Sequence, residues 1–266
     1  MAQKAKRRGL FTLLAAPPLM AALMATFWSS EFVRELENVT VDRRFRARAD
    51  TDPLPDPRIA LIGIGDHSLK MAGRWEEWTR SIHGAFADAL GVRPPKILAF
   101  DLFFSETSRD PSHDEAFAFA LELHPGAITG MRIDETTARI TNDPTPPPYL
   151  QGTRPITNVI GDTSTMLHGT RANAPIKSLA EVAWTGFVNC PASKSDGMRR
   201  VIPLVGMVQD TIYPSLVLQI LMQLEETSSE EVEVIMGESI KVPKLDGGLW
   251  EIPIDETGAM AINYRN

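Results

Sequence analysis

The sequence predicts a mixed α/β fold built on a βαβ unit with flanking helices, and three observations predict it. Residues 59–65 form a short apolar run, IALIGIG, that ends at Asp66. Residues 97–104 form a second, ILAFDLFF, with Asp101 inside it. Between them, residues 79–90 carry apolar side chains at helical spacing. Two apolar runs separated by a helix of about a dozen residues are the sequence form of a βαβ unit. Its strands should be parallel and its connection right-handed. Asp66 and Asp101 are then expected at or near the carboxyl ends of neighbouring strands, where open α/β sheets place ligand crevices.

The elements follow in chain order. Residues 1–8 are a basic tail holding Lys4, Lys6, Arg7 and Arg8. Residues 9–30 contain no charge and would span about 33 Å as a helix, enough for a bilayer core. Pro17-Pro18 should kink that helix, and Trp28 sits where an interfacial aromatic is expected. The small-residue positions that signal-peptide cleavage needs are poorly met by Met20/Ala22 and Leu23/Ala25, which favours an uncleaved anchor. The dense basic cluster before the segment places the N-terminus in the cytoplasm and the remainder outside.

Residues 31–57 are expected to be a helical stalk and a linker. Phe32, Leu36, Val39 and Arg43 make one narrow stripe, suited to packing on the domain or to dimerising beside the membrane. The proline-rich segment at residues 52–57 can be neither helix nor central strand. Residues 58–266 form the domain.

Within it, Thr79 is the expected N-cap of the first helix and Gly91 its stop, with Ile82, Ala85, Phe86, Ala89 and Leu90 on one side. Ser112 and Glu115 have the form of a capping box. The helix they would open is apolar almost all round, with Phe117, Phe119 and Leu121. Residues 126–131 read as the next strand, and residues 141–155, with five prolines, as an extended loop. Pro175 suits the first turn of a helix carrying Ile176, Leu179 and Val182. Residues 184–190 and 200–208 read as strands, Gln209-Asp210 as a turn and residues 214–224 as an apolar helix. Four short strands are expected at 231–236, 239–242, 249–254 and 260–264.

Composition excludes some functions. The net charge is −7, and without the four basic residues of the tail the remainder stands at −11. Such a domain repels phosphates, so no nucleic-acid partner is expected. The single cysteine, Cys190, allows no internal disulfide and reads as a small buried hydrophobe. The five histidines are scattered, and no P-loop, dinucleotide fingerprint or nucleophile elbow is present. Neither a catalytic set nor a cofactor or metal is therefore expected. The candidate ligand-binding residues are Asp66, Trp75, Trp78, Arg80 and Asp101. The two carboxylates suit oxygen ligation of a cation or hydrogen bonds from a polar ligand, with Asp110 and Asp114 approaching from the next loop. Alternatively each caps a turn and pairs with Arg74 or Arg80. The two tryptophans can wall a small-ligand site or pack a loop onto the core.

A set of short motifs carries a family resemblance. They are Asp42-Arg43-Arg44-Phe45-Arg46, Ile62-Gly63-Ile64-Gly65-Asp66 with Ser68-Leu69, and Gly73-Arg74-Trp75 with Trp78-Thr79-Arg80. Next come Ala99-Phe100-Asp101-Leu102-Phe103-Phe104-Ser105-Glu106 and Asp196-Gly197-Met198-Arg199-Arg200-Val201-Ile202-Pro203-Leu204. Tyr213-Pro214-Ser215-Leu216 and Ile254-Asp255-Glu256-Thr257-Gly258 with Ile262-Asn263-Tyr264 complete the set. In order and spacing they resemble the CHASE2 domain, the extracytoplasmic sensory module of bacterial adenylate cyclases, histidine kinases and serine/threonine kinases. Glu76-Glu77 stand where that family more often has proline. The family usually continues into three transmembrane helices and an output domain, which this chain is expected to lack.

The resemblance implies a non-enzymatic sensory domain, anchored by one span in the bacterial inner membrane and facing the periplasm. It would bind an unknown small-molecule signal or a membrane-protein partner, or form a homo-oligomer through the N-terminal helix and stalk. Two alternatives are a structural accessory subunit of a membrane complex and a metal-dependent hydrolase using Asp66 and Asp101.

Overall fold

A computed structural model describes residues 17, 18, 20, 31–48, 56–135, 154–193 and 196–264. The expected membrane anchor at 9–30 lies outside the described residues except for three positions, and most of the expected loop at 141–155 lies outside them too. Among the described residues no helix is long and apolar enough to cross a membrane. The chain divides into two compact units, Met1–Leu61 with Asn263–Asn266, and Ile62–Ile262.

The first unit holds helix α1, Glu31–Arg48. Its sequence has no glycine or proline to interrupt it, and Arg46 and Arg48 in the last turn complement the helix dipole. The expected stripe is not its covered side: Leu36, Val39 and Arg43 are exposed, and the side chain of Phe32 lies outside the described set. The less exposed positions among those described are Val33, Asn38, Val41, Asp42, Phe45 and Arg48. Arg48 explains the choice at the helix end. Its Nη2 donates to Asn263 Oδ1 at 2.8 Å and to the Tyr264 carbonyl at 2.9 Å. Phe45 meets the Tyr264 ring edge-on at 6.2 Å, and the Arg48 guanidinium lies over Phe45 at 5.2 Å.

The second unit is a mixed α/β structure. Its main sheet runs β1 (Leu98–Phe103), β2 (Ala127–Glu135), β4 (His168–Asn173), β7 (Val205–Val208), β8 (Thr211–Pro214), with β5 (Trp184–Phe187) also on β2. β1 joins β2 in parallel, Leu98 opposite Ala127, through helix α4 (Pro111–Glu122). The βαβ unit is therefore present, one element later than the first expected strand.

β2 changes partners along its length. Residues Ile128 to Met131 pair in parallel with β5, and Arg132 onward pairs antiparallel with β4. Where β5 ends, the buried Asn189 side chain takes over. Its Oδ1 accepts from the Ile133 N–H and its Nδ2 donates to the Ile133 carbonyl, both at 2.8 Å. A buried backbone pair that would otherwise be orphaned is thereby satisfied.

A second sheet orders β11 (Leu249–Pro253), β10 (Ser239–Pro243), β9 (Glu233–Ile235) and β3 (Val159–Ile160), and β12 (Ala259–Ala261) pairs with β6 (Val201–Pro203). The four expected C-terminal strands are thus β9 to β12. The turn at Gln209 is real and takes a positive φ of 57°. Helix α6 (Leu216–Leu224) is capped by Ser215, whose Oγ accepts from Leu218 N. Its first turn lies so close to β5 that a Cβ on Gly186 would stand 2.6 Å from Leu216 Cα.

Two cores result. One is phenylalanine-rich and joins α3 (Arg80–Leu90), α4, α5 (Lys177–Ala180) and β1 through Phe100, Phe104, Phe117, Leu121 and Leu179. The other is aliphatic and joins α6 to β7, β9 and β10 through Val205, Leu218, Met222, Val234 and Ile240.

Three local expectations change. Residues 59–65 are not a strand: Leu61 is 94% exposed, Ile62 65% and Ile64 41%. Half of residues 62–65 are glycine, which pays most to become ordered and brings nothing to pack. The run leads into a short helix, α2 (Asp66–Ala72), that also buries no residue. Second, α3 turns a different face inward. His83, Gly84 and Ala87 are buried, while Ala85 and Ala89 are exposed. Gly84 sets this rotation, because a Cβ there would meet Phe117 Cα on α4 at 3.3 Å. Third, α4 is one-sided, with Phe117 and Leu121 buried but Phe119 exposed. Its cap is Asp110, which accepts from Ser112 N at 3.0 Å with Pro111 in the first turn, not Ser112.

Candidate functional site

Helix α3 begins beside a short 3₁₀ turn, Trp75–Glu77, and this junction gathers three of the five candidate residues. The two indoles lie against each other, centroids 5.3 Å apart and tilted by 44°. Trp78 Nε1 donates to the Gly73 carbonyl at 3.0 Å, which fixes that ring. Both indoles contact the His83 imidazole, at 5.7 and 6.0 Å. His83 in turn contacts Phe104 at 5.3 Å and Phe117 at 5.9 Å. The rings thus run from the surface, where Trp75 is 40% exposed, into the phenylalanine core.

Arg80 lies alongside. Its Nη1 donates to Asp114 Oδ1 at 2.7 Å, its Nη2 to the Glu106 carbonyl, and its guanidinium lies 5.5 Å over Phe104. Asp114 also accepts from Ser108 Oγ at 2.7 Å and from Ser108 N at 2.8 Å. The pair is nearly dry, with side-chain exposures of 13% and 5%. Its job is visible in its partners, since the loop after β1 is held through Glu106 and Ser108 to α3 and α4. A buried pair with its remaining lone pairs satisfied specifies geometry more than it adds stability.

His83 is held below the ordinary histidine range, first by burial and then by the Arg80 charge. No third carboxylate or histidine joins such a group into a metal-holding set: among the described residues no cluster of three or more histidine, cysteine, aspartate or glutamate side chains could hold a metal ion.

The two aspartates are placed differently from expectation. Asp66 opens α2 and is exposed, with Gly65 at the cap position. Asp101 is exposed on β1. Arg80, expected to neutralise one of them, is committed to Asp114. The structure therefore joins Trp75, Trp78 and Arg80 into one site and leaves Asp66 and Asp101 outside it. His83, Phe104 and Ser108 also belong to the site and were missed as members, while Asp114, expected to approach the aspartate pair, meets Arg80 instead. No local sequence signal marks these three, because the Trp75–Glu77 turn and the extended Trp78 and Thr79 break the helical spacing to His83, and Phe104 and Ser108 reach α3 only through the fold.

Chemically, this is an aromatic ledge on a rigid base. Its one buried cation, Arg80, is already neutralised by Asp114. An indole face half in water suits stacking with an apolar or planar group, from a small molecule or another protein. The cavity beside α6, bordered by Trp184, Gln219, Met222 and Ser229, has a volume of about 30 Å³, room for about two water molecules.

The fold and this ledge define a mixed α/β domain with an exposed aromatic surface. The CHASE2 domain model matches residues 19–266, and the chain belongs to the CHASE2 domain family, a family of extracytoplasmic sensory domains. Comparison with curated proteins and with solved structures yields no match.

Proposed function

We propose that the chain is a membrane-anchored sensory domain without catalytic activity, facing the periplasm from the bacterial cytoplasmic membrane. The CHASE2 match over residues 19–266 is the observation that carries this reading. The charge-free segment at 9–30 supports the anchor, and the basic residues before it support a cytoplasmic N-terminus. The Trp75–Trp78 ledge is the proposed contact surface, with Arg80 positioning its base and Asp66 and Asp101 as outlying polar contacts. A signal shifts the packing of this region, and an associated membrane protein reads the change. The exposed Leu36 and Val39 on α1 support pairing with a second copy beside the membrane.

The accessory-subunit reading keeps one supporting observation. The half-exposed Trp75 indole offers a protein partner an aromatic anchor.

Topology is tested with Ala89→Cys in a Cys190→Ser background, because Ala89 is exposed on α3. A membrane-impermeant maleimide should label the full-length variant in intact spheroplasts. Labelling only after lysis would place the domain in the cytoplasm and end this reading. Recovery from mild detergent, with mass spectrometry of what accompanies the chain, then separates the partners. A stoichiometric second protein favours the subunit, and a self-associated chain favours the sensor.

A further inference from the structure

Two features of the second unit are each unsatisfied. Residues 62–65 read Ile-Gly-Ile-Gly, belong to no helix or strand and stand in water. Nothing lies within 4 Å of where a Cβ would stand on Gly63 or Gly65. Among the described residues β1, in turn, pairs only with β2, which leaves its other edge without a strand partner. Leu98–Phe103 contains no proline and no lysine; its one charge is Asp101, and its register with β2 is irregular between Phe100 and Phe103.

We propose that residues 62–65 dock on the free edge of β1 in the same chain, as a parallel strand. Several observations fit the two together. β1, β2 and β5 are mutually parallel, so the edge continues a parallel sheet. The 32 residues from Asp66 to Ile97 include α3, and a parallel crossover needs a dozen or more, usually with a helix. That crossover helix is already seated, with Phe86 meeting Phe100 edge-on at 6.4 Å. The period is right as well. Ile62 and Ile64 share one face, and on the matching side of β1 the side chains of Phe86, Leu90 and Leu102 are only partly covered. Gly63 and Gly65 then fall on the other face, beside the exposed Ala99 and Asp101.

A second copy carries the same run, but attachment to the same chain supplies a millimolar effective concentration that a second molecule rarely matches. Docking also carries Asp66 towards the carboxyl end of β1, so the paired aspartates read from the sequence belong to the docked arrangement. The inference stands whether or not the domain is a sensor.

Hydrogen exchange on the unmodified full chain in detergent is the first test. Alternate amides within 62–65 should exchange at least about 100-fold more slowly than in an unstructured peptide. Unprotected rates throughout the segment would overturn docking. The second test pairs Gly63→Cys with either Ala99→Cys or Asp101→Cys in a Cys190→Ser background. Mild oxidation should give an internally cross-linked monomer for one pair. A covalent dimer would assign the run to a second copy, and no cross-link in either pair would exclude the parallel register; each result overturns the proposal.

Discussion

Residues 59–72 and residues 80–104 have comparable apolar content and opposite fates. The first stretch lies exposed, apart from Ser68 and Leu69 at intermediate exposure, and its helix buries no residue. The second supplies His83, Ala87, Leu98, Phe100 and Phe104 to a core. What separates them is partners, not hydrophobicity. Residues 80–104 meet α4, whose Phe117 touches three of their rings, His83, Phe100 and Phe104. Residues 62–65 have a potential partner in the β1 edge but no bond to it. An apolar sequence states that burial is favourable, and a neighbouring surface decides whether burial happens.

The largest effect is expected where the second stretch meets α4. Phe117→Ala should lower the unfolding free energy by about 3–5 kcal/mol in urea titrations, as for other fully buried rings. A loss below about 1 kcal/mol would mean the two stretches are less different than they look. Asp114→Ala comes next, at about 3 kcal/mol, because it leaves Arg80 nearly buried without a counter-charge. Adding Arg80→Met to an Asp114→Leu variant should recover most of that loss, which a purely repulsive or misfolding effect would not allow.

Ile64→Ala bears on the first stretch. If that stretch stays exposed the cost is within about 0.5 kcal/mol. With the segment docked on β1, the expected result is a loss of about 2 kcal/mol.

The smallest effect is a pH dependence. His83 has its folded value depressed below 6.5, so the unfolded chain takes up a proton there before the native chain does. Its contribution to stability is fully present well above pH 6.5 and is lost as the pH falls through 6.5 towards the lower folded value. Urea midpoints between pH 5.5 and 7.5 should fall on acidification, and His83→Phe should flatten that part of the curve.

Much of this was legible in advance because it is local. β1, β2, the turn at Gln209, the apolar helix expected at 214–224 and the four C-terminal strands all follow from period and turn chemistry within a few residues. What was not legible depends on distance. Arg80 and Asp114 are 34 positions apart, and nothing local says that they meet. The inward face of α3 is decided by Gly84, a residue with no hydrophobic signal, because α4 needs its backbone close. Asp110 won the cap from Ser112 because Pro111 suits the first turn behind it. The run at 59–65 was misplaced because its apolar content outweighed Gly63 and Gly65, which bring nothing to pack.

The bonds from Arg48 to Asn263 and Tyr264 close the chain into a ring, the latter joining residues 216 positions apart. A ring with a clasp has a mechanical shortcut. Tension or torque applied along α1 reaches Tyr264 through one arginine and one aromatic contact, without travelling through a single strand of the sheet. Whatever is fastened on either side of that clasp is geared to its neighbour directly, and the long intervening polypeptide is free to set how firmly the clasp is held.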